Sequence, residues 1–261
     1  LVLNNDFDYF EKQLNRPLLL ADKKEEYRFY LGYTLFVSKR FSQASQYFNS
    51  YWENTKSEYY APSEYYYACI KFYEGKFDES RKRFQRIENN AVYKEAVSIH
   101  ILNTWYANKK QEKVIEYGTA LIKGGVNKNI SEIKGIVGLA YFDMKNYRDA
   151  LPYLEAAVVD GFGSNDDDIL LKLAKTQMEL GYFKPAIENF ETVSKSNEIK
   201  TAQQAKYFLA RSYLAIGNKS AARNMLDNLR SMQVDKEIQE EATLNFGKLS
   251  YELKLNFEAI S

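Results

Sequence analysis

The sequence predicts an all-α protein, an α-solenoid of antiparallel helix hairpins, and three observations carry this prediction. Small residues recur at almost constant intervals, a second set lies about twelve positions before them, and glycine-containing turns fall between the two sets. Apolar residues around the turns recur three and four positions apart, which is the period of an amphipathic helix. No stretch of comparable length alternates as a half-buried strand would.

Each hairpin is marked by a pair of residues at which two helices can cross closely. The later member often stands three positions after an aromatic residue, as in Phe41…Ala44 and Tyr147…Ala150. These later members, separated by 36, 34, 36, 36, 36 and 37 residues, are Ala44, Ser80, Val114, Ala150, Ala186, Ala222 and Ala259. The earlier members are Gly32, Ala68, Leu102, Gly138, Ala174, Ala210 and Lys248. Small side chains at a crossing let two helix backbones approach, so each pair predicts one hairpin.

The chain therefore divides, in order, into a leading helix and a series of hairpins that together form one solenoid domain over 1–261. The leading helix covers about 5–14, and the hairpins cover about 25–60, 61–94, 95–130, 131–166, 167–202, 203–239 and, in part, 240–261. Gly75, Gly181 and Gly217 suit the left-handed residue that ends the first helix of a hairpin. Predicted N-caps are Ser63, Ser131, Asp166 and Thr201. Because terminal solenoid repeats need polar caps, we expect a longer parent protein that continues beyond Ser261.

Two consecutive copies resemble the tetratricopeptide-repeat (TPR) family. The first runs from Ser131 to Asp160 and has Gly138, Tyr141, Tyr147, Ala150 and Ala157 in signature positions. The next copy repeats the pattern with Leu173, Ala174, Gly181, Phe183, Ala186, Phe190 and Val193. The resemblance covers roughly 25–261 and implies a right-handed superhelix that binds proteins. The hairpin around Trp105 departs from it, because neither Leu102 nor Val114 is small.

The TPR resemblance also implies a binding groove, lined by the first helix of each hairpin. By alignment with the family, the groove grades from aromatic to partly basic along the chain. The candidate partner-binding residues are Phe29, Tyr33, Phe36, Tyr65, Phe72, Tyr73, Asn103, Tyr106, Lys175, Tyr207 and Arg211. Tyrosines anchor interfaces well, and Lys or Arg can hold a carboxylate. The Lys/Asn/Arg clamp of the chaperone-docking members is not reproduced in these positions.

Composition and motifs argue against several other functions. The 36 Lys and Arg nearly cancel the 35 Asp and Glu, so nucleic acid is not an expected partner. Cys69 and His100 are the only cysteine and histidine, which leaves no His/Cys metal site or intramolecular disulfide. Asp166-Asp167-Asp168 lacks the spacing of a calcium loop, and Gly124-Gly125 lacks the Lys-Ser/Thr of a phosphate loop. We predict no catalytic residue, no metal and no cofactor.

Three functions remain open at this point. The leading hypothesis is a non-catalytic scaffold or adaptor that binds a peptide or partner domain in its groove. The second is a structural spacer of a bacterial cell-envelope assembly, because the Tyr/Lys/Asn usage and the passage 244–253 resemble long TPR proteins of cell envelopes. That resemblance favours the periplasm or envelope over the cytoplasm, and we expect no membrane insertion. The third is a targeting arm of an enzyme whose catalytic domain lies elsewhere.

Overall fold

A computed structural model describes residues 2–16, 20–51, 53–125, 128–162, 166–232 and 235–253, and over these ranges the chain forms helices and no strands. The helices are α1 (Val2–Leu14), α2 (Ala21–Val37), α3 (Phe41–Asn49), α4 (Tyr60–Tyr73), α5 (Phe77–Arg86), α6 (Lys94–Ala107), α7 (Gln111–Gly124), α8 (Ile130–Asp143), α9 (Tyr147–Val159), α10 (Asp167–Glu179), α11 (Phe183–Val193), α12 (Ile199–Ala215), α13 (Lys219–Arg230) and α14 (Lys236–Glu252). The all-α solenoid prediction is confirmed. Within the described ranges, no helix has the combination of length and apolar character that a bilayer crossing requires.

The chain divides into two compact units. The first comprises Leu1–Val114 with Asn127–Asn129, and the second comprises Ile115–Val126 with Ile130–Ser261. In the first unit α2 packs on α3 and α4 on α5, while α2 also contacts α4. In the second unit α8, α10 and α12 pack on the helices that follow them, and α10 also contacts both α8 and α12. Within each unit, the first helices of successive hairpins therefore lie side by side.

The helix crossings occur at the small residues that the sequence indicated. Ala44, Ala68, Ala150 and Ala174 are fully buried. At Gly138 a methyl group would lie 2.8 Å from Leu154 Cγ and 3.1 Å from the Leu154 backbone nitrogen, so only glycine allows this approach of α8 to α9. Leu102 and Val114 are fully buried as well, and larger side chains thus fill the weakest copy of the repeat. Lys248 is exposed, and its predicted crossing partner Ala259 lies outside the described residues.

The six hairpin turns within the described ranges share one backbone conformation. Left-handed residues occur at Lys39, Gly75, Lys109, Lys145, Gly181 and Gly217, with φ between 57° and 81°. At Gly75, the glycine N–H donates to the Phe72 carbonyl and the Lys76 N–H donates to the Lys71 carbonyl, which is the Schellman arrangement. The same pair of bonds recurs at Lys145 and Asn146. The predicted glycine turns are confirmed, and lysine takes the equivalent position in three copies.

Helix starts were predicted less well than helix ends. Asp166 is confirmed as an N-cap, because its carboxylate accepts from the Asp168 and Ile169 N–H groups at 2.9 and 3.2 Å. Ser63, Ser131 and Thr201 instead lie inside α4, α8 and α12. Serines further upstream organise two of these starts: Ser57 Oγ accepts from the Tyr59 N–H and Ser196 Oγ from the Glu198 N–H. Because these short-range bonds form the turn before the helix, α4 and α12 each begin upstream of the predicted cap.

The cores consist of apolar residues from neighbouring helices. In the first unit Leu31, Leu35, Phe48 and Ile70 form one cluster, against which α1 packs through Phe7 and Phe10. The leading helix predicted over 5–14 is α1. In the second unit, one cluster is centred on Phe190 and Leu209 and another on Leu226 and Phe246. The last helix, α14, begins at Lys236 rather than 240, and the predicted helix after it lies outside the described residues.

Candidate partner-binding site

The first unit contains an open hollow of about 410 Å³ on the side where α2 and α4 lie. Side chains of α2, α4 and the turns before α4 and α6 line it. These residues are Phe29, Tyr30, Tyr33, Glu58, Tyr59, Pro62, Tyr66 and Tyr93. We call it the aromatic hollow.

The rings of the aromatic hollow form a continuous cluster around Phe29. The Phe29 ring centroid lies 5.2 Å from Tyr59, 6.2 Å from Tyr66 and 6.4 Å from Tyr33. Phe29 is 8% exposed and belongs to the core, whereas Tyr30 and Tyr33 are each 39% exposed. Such contacts between rings hold the side chains in place without covering their outer edges. The hollow thus has a buried base and an accessible aromatic rim.

The charge in the aromatic hollow is negative. Glu58 is exposed, and no Lys or Arg is among the lining residues. Burial raises the pKa of Tyr59 to about 12, with smaller contributions from the negative charges of Glu58 and Glu26. The Tyr59 phenol therefore stays neutral at physiological pH, and Glu58 is the acidic residue of the lining.

The second unit contains a different hollow, of about 310 Å³, on the side formed by α10, α12 and α14. It is lined by Lys175, Gln204, Tyr207, Phe208, Asp235, Glu237, Ile238 and Glu241. Lys175 Nζ lies 4.4 Å from the Phe208 ring centroid and 3.4 Å from Gln204 Oε1. Burial lowers the pKa of Lys175. We call it the mixed-charge hollow, because its lining includes one ammonium group and three carboxylates.

Two further contacts complete the mixed-charge hollow. The Tyr207 hydroxyl donates to Glu241, which links α12 to α14. The Arg211 guanidinium carbon lies 5.9 Å from the Tyr207 ring centroid and 5.6 Å from that of Phe208. Phe208 therefore contacts cations from two helices, and Tyr207 is held at the rim of the hollow.

The predicted groove residues fall into two groups. Phe29 and Tyr33 line the aromatic hollow, and Lys175 and Tyr207 line the mixed-charge hollow with Arg211 beside it. The others lie outside both. Phe36 packs on Tyr66 at 5.1 Å, Phe72 on Phe77 at 5.4 Å, and Tyr73 stacks on Phe41 at 5.3 Å. Asn103 and Tyr106 are half-buried on α6.

Tyr65, the remaining predicted residue, belongs to a small cluster with the only histidine and the only cysteine. The Tyr65 hydroxyl and His100 Nε2 are hydrogen-bonded at 2.9 Å, and the imidazole stacks on Phe84 with 4.9 Å between ring centroids. Burial lowers the pKa of His100 and raises that of the Cys69 thiol to about 12. At neutral pH this places a neutral imidazole and a protonated thiol among aromatic rings, as in a packing role.

Sequence reasoning missed the lining residues that precede the first helices. Glu58 and Tyr59 lie in the turn before α4, Tyr93 lies just before α6, and Asp235 lies just before α14. The prediction used only slots on the helices themselves. The aromatic density of 59–67 was a usable signal, since five of these nine residues are Tyr, a residue type enriched at surfaces that bind partners.

The described helices form the hairpins of an α-solenoid, and each hollow lies on the first helices of successive hairpins. Both hollows have volumes typical of ligand sites. Among solved structures, that fold is the tetratricopeptide repeat. The C-terminal part of a TPR repeat-containing protein from Cytophaga hutchinsonii is 14% identical, with a TM-score of 0.64 over 88% of this chain and 91% of that one. A TPR protein from Parabacteroides merdae is 12% identical, with a TM-score of 0.56 over 95% and 91%. PilF of Pseudomonas aeruginosa is 12% identical, with a TM-score of 0.60 over 97% and 100%.

These similarities show the fold alone, because identity is low and one fold supports many functions. No protein-family model matches the sequence, and no curated protein matches it.

Proposed function

We propose that this protein is a non-catalytic interaction scaffold that binds a peptide segment or helix of a partner protein across the first helices of its hairpins. The observation that carries the proposal is the pair of open hollows on those helices, each with tyrosine at its rim. Tyrosine offers a large apolar face together with a hydroxyl that can bond to a partner's backbone. Residues of this type dominate the binding energy of protein interfaces.

The division between base and rim supports the proposal. Phe29 is buried beneath the aromatic hollow, whereas Tyr33 is 39% exposed above it. A core that only needed to be filled would not require a half-exposed tyrosine beside an open cavity. Tyr207, likewise, is half-buried: one side packs against the core cluster of Leu226 and Phe246, and its hydroxyl donates to Glu241. Both rims are pre-organised, which lowers the entropic cost of binding.

The test uses the purified chain and a random library of displayed 12-residue peptides. We expect specific peptides to be enriched, and Tyr33→Ala or Tyr207→Ala to weaken their binding about 5- to 30-fold in fluorescence anisotropy. The melting temperature should change little, because each ring is partly exposed. Tyr182→Ala is the matched control, since Tyr182 is 54% exposed and lines neither hollow.

Phe29→Ala provides the opposite control. Its ring is buried, and its loss should cost about 3–5 kcal/mol of unfolding free energy. If no peptide is enriched, or if neither Tyr33→Ala nor Tyr207→Ala affects binding, the proposed function is wrong. Equal losses of binding and stability in Tyr33→Ala would make Tyr33 a core residue.

A further inference from the structure

Several aromatic rings outside the aromatic hollow contact a cationic side chain of the protein itself. Arg81 lies 3.6 Å from the Trp105 ring centroid, Arg83 lies 4.4 Å from Tyr67, and Lys175 lies 4.4 Å from Phe208. Phe246 contacts two arginines in the same way. In the described part of the chain, no ring that lines the aromatic hollow has such a contact with a cation.

The hollow nevertheless has the composition that a cation requires. Six aromatic rings line it, and the face of each carries the negative part of its quadrupole. Glu58 adds a full negative charge at the rim. The nearby Glu26 is already paired with Lys23 at 2.6 Å and adds none. The volume of about 410 Å³ admits a long side chain with part of its backbone.

We propose that the aromatic hollow binds a lysine or arginine side chain of the partner segment, with its charge facing the rings and the carboxylate of Glu58. The inference rests on the proposed function and specifies its ligand. An acidic side chain would meet Glu58 with no cation among the lining residues to compensate it. A neutral apolar or proline-rich segment could use the rings but would gain nothing from the charge of Glu58.

The mixed-charge hollow offers an internal comparison. There, an aromatic ring and carboxylates are also brought together, and the protein's own Lys175 occupies the position over the ring. The aromatic hollow presents similar chemistry without a cation of its own. The partner's side chain would therefore take the place that Lys175 takes in the second unit.

The test follows from the peptide selection. We expect peptides that bind the wild-type chain and lose affinity in Tyr33→Ala to carry a Lys or Arg. Replacing that residue by norleucine, which keeps the length but removes the charge, should lower affinity about 3- to 30-fold. Glu58→Gln should weaken binding of the basic peptide several-fold and leave binding of the norleucine peptide unchanged, as a double-mutant cycle would reveal.

Glu53→Gln is the matched control, because Glu53 is an exposed acid of the same connecting segment and does not line the hollow. Tyr33-sensitive peptides that lack a basic residue, or that ignore both norleucine and Glu58→Gln, would overturn the cation inference and leave the proposed function standing. Basic peptides that are insensitive to Tyr33→Ala would bind elsewhere and would also overturn it. Failure to enrich any peptide would contradict both.

Discussion

At the scale of single residues, His100 makes the stability of the first unit depend on pH. It is the only histidine, it stacks on Phe84, and burial lowers its pKa from the ordinary value of 6.5. The folded chain therefore binds fewer protons than the unfolded chain between the lowered pKa and 6.5. The stabilisation is complete above about pH 6.5 and is lost as the pH falls through the lowered pKa.

We predict that the urea midpoint of the wild type falls between about pH 7.5 and pH 5, and that His100→Gln shows a smaller fall. The difference between the two proteins isolates the histidine from carboxylates that titrate in the same range. Tyr65→Phe removes the hydrogen bond but not the burial, so it should retain the wild-type pH dependence. A fall of equal size in His100→Gln would contradict the prediction.

At the scale of secondary-structure elements, the hairpin turns place non-glycine residues in a left-handed conformation. Lys145 has φ 58° and is exposed, in the position that Gly181 occupies 36 residues later. An L-residue with a side chain pays about 1–2 kcal/mol in this conformation, whereas glycine adopts it freely. Three of the six described turns are therefore strained, and glycine in place of lysine would relieve the strain.

We predict that Lys145→Gly raises the unfolding free energy by about 1 kcal/mol in urea denaturation. Lys248→Gly makes the same chemical change at an exposed position inside α14, where it should lower the free energy by about 1 kcal/mol. Opposite signs for one substitution would establish that backbone conformation decides the outcome. Destabilisation by both would show that the Lys145 side chain has a role that its exposure does not reveal.

At the scale of the whole molecule, charge is balanced, and several cations of the described residues are internally paired. The formal net charge is +1. Arg83 and Arg86 contact the buried carboxylate of Glu64 at 2.7 and 3.4 Å, and Arg81 lies over Trp105. Cations held in this way are not available for phosphate groups.

We predict that the chain binds neither duplex DNA nor single-stranded RNA tighter than about 100 µM at physiological salt. Fluorescence anisotropy of labelled 20-nucleotide probes measures this directly. Micromolar binding that weakens steeply with added salt would contradict the prediction and would reveal a basic surface that the net charge conceals.

The sequence by itself was sufficient for the fold class, the turns and most helix crossings. These depend on local rules: a 3.6-residue apolar period, glycine at left-handed positions, and small residues such as Gly138 where two backbones meet. Such rules act within one hairpin and recur in the next. A weak copy, such as the one around Trp105, is therefore recognised from the spacing of the stronger copies on either side. These rules did not predict the start of α4. That helix is preceded by a turn in which the Tyr59 N–H donates to Ser57 Oγ, and Ser63 lies inside the helix.

The composition of the candidate site was decided by tertiary structure. Phe29 and Tyr33 occupy similar helix slots, yet packing buries one in the core and leaves the other at the rim. Glu58, Tyr93 and Asp235 reach the hollows from turns that belong to different hairpins, more than 30 residues from some of their neighbours in space. A periodic pattern predicts which residues share a helix face. It cannot predict which side chains from separate helices and turns enclose one cavity, because that depends on how successive hairpins stack.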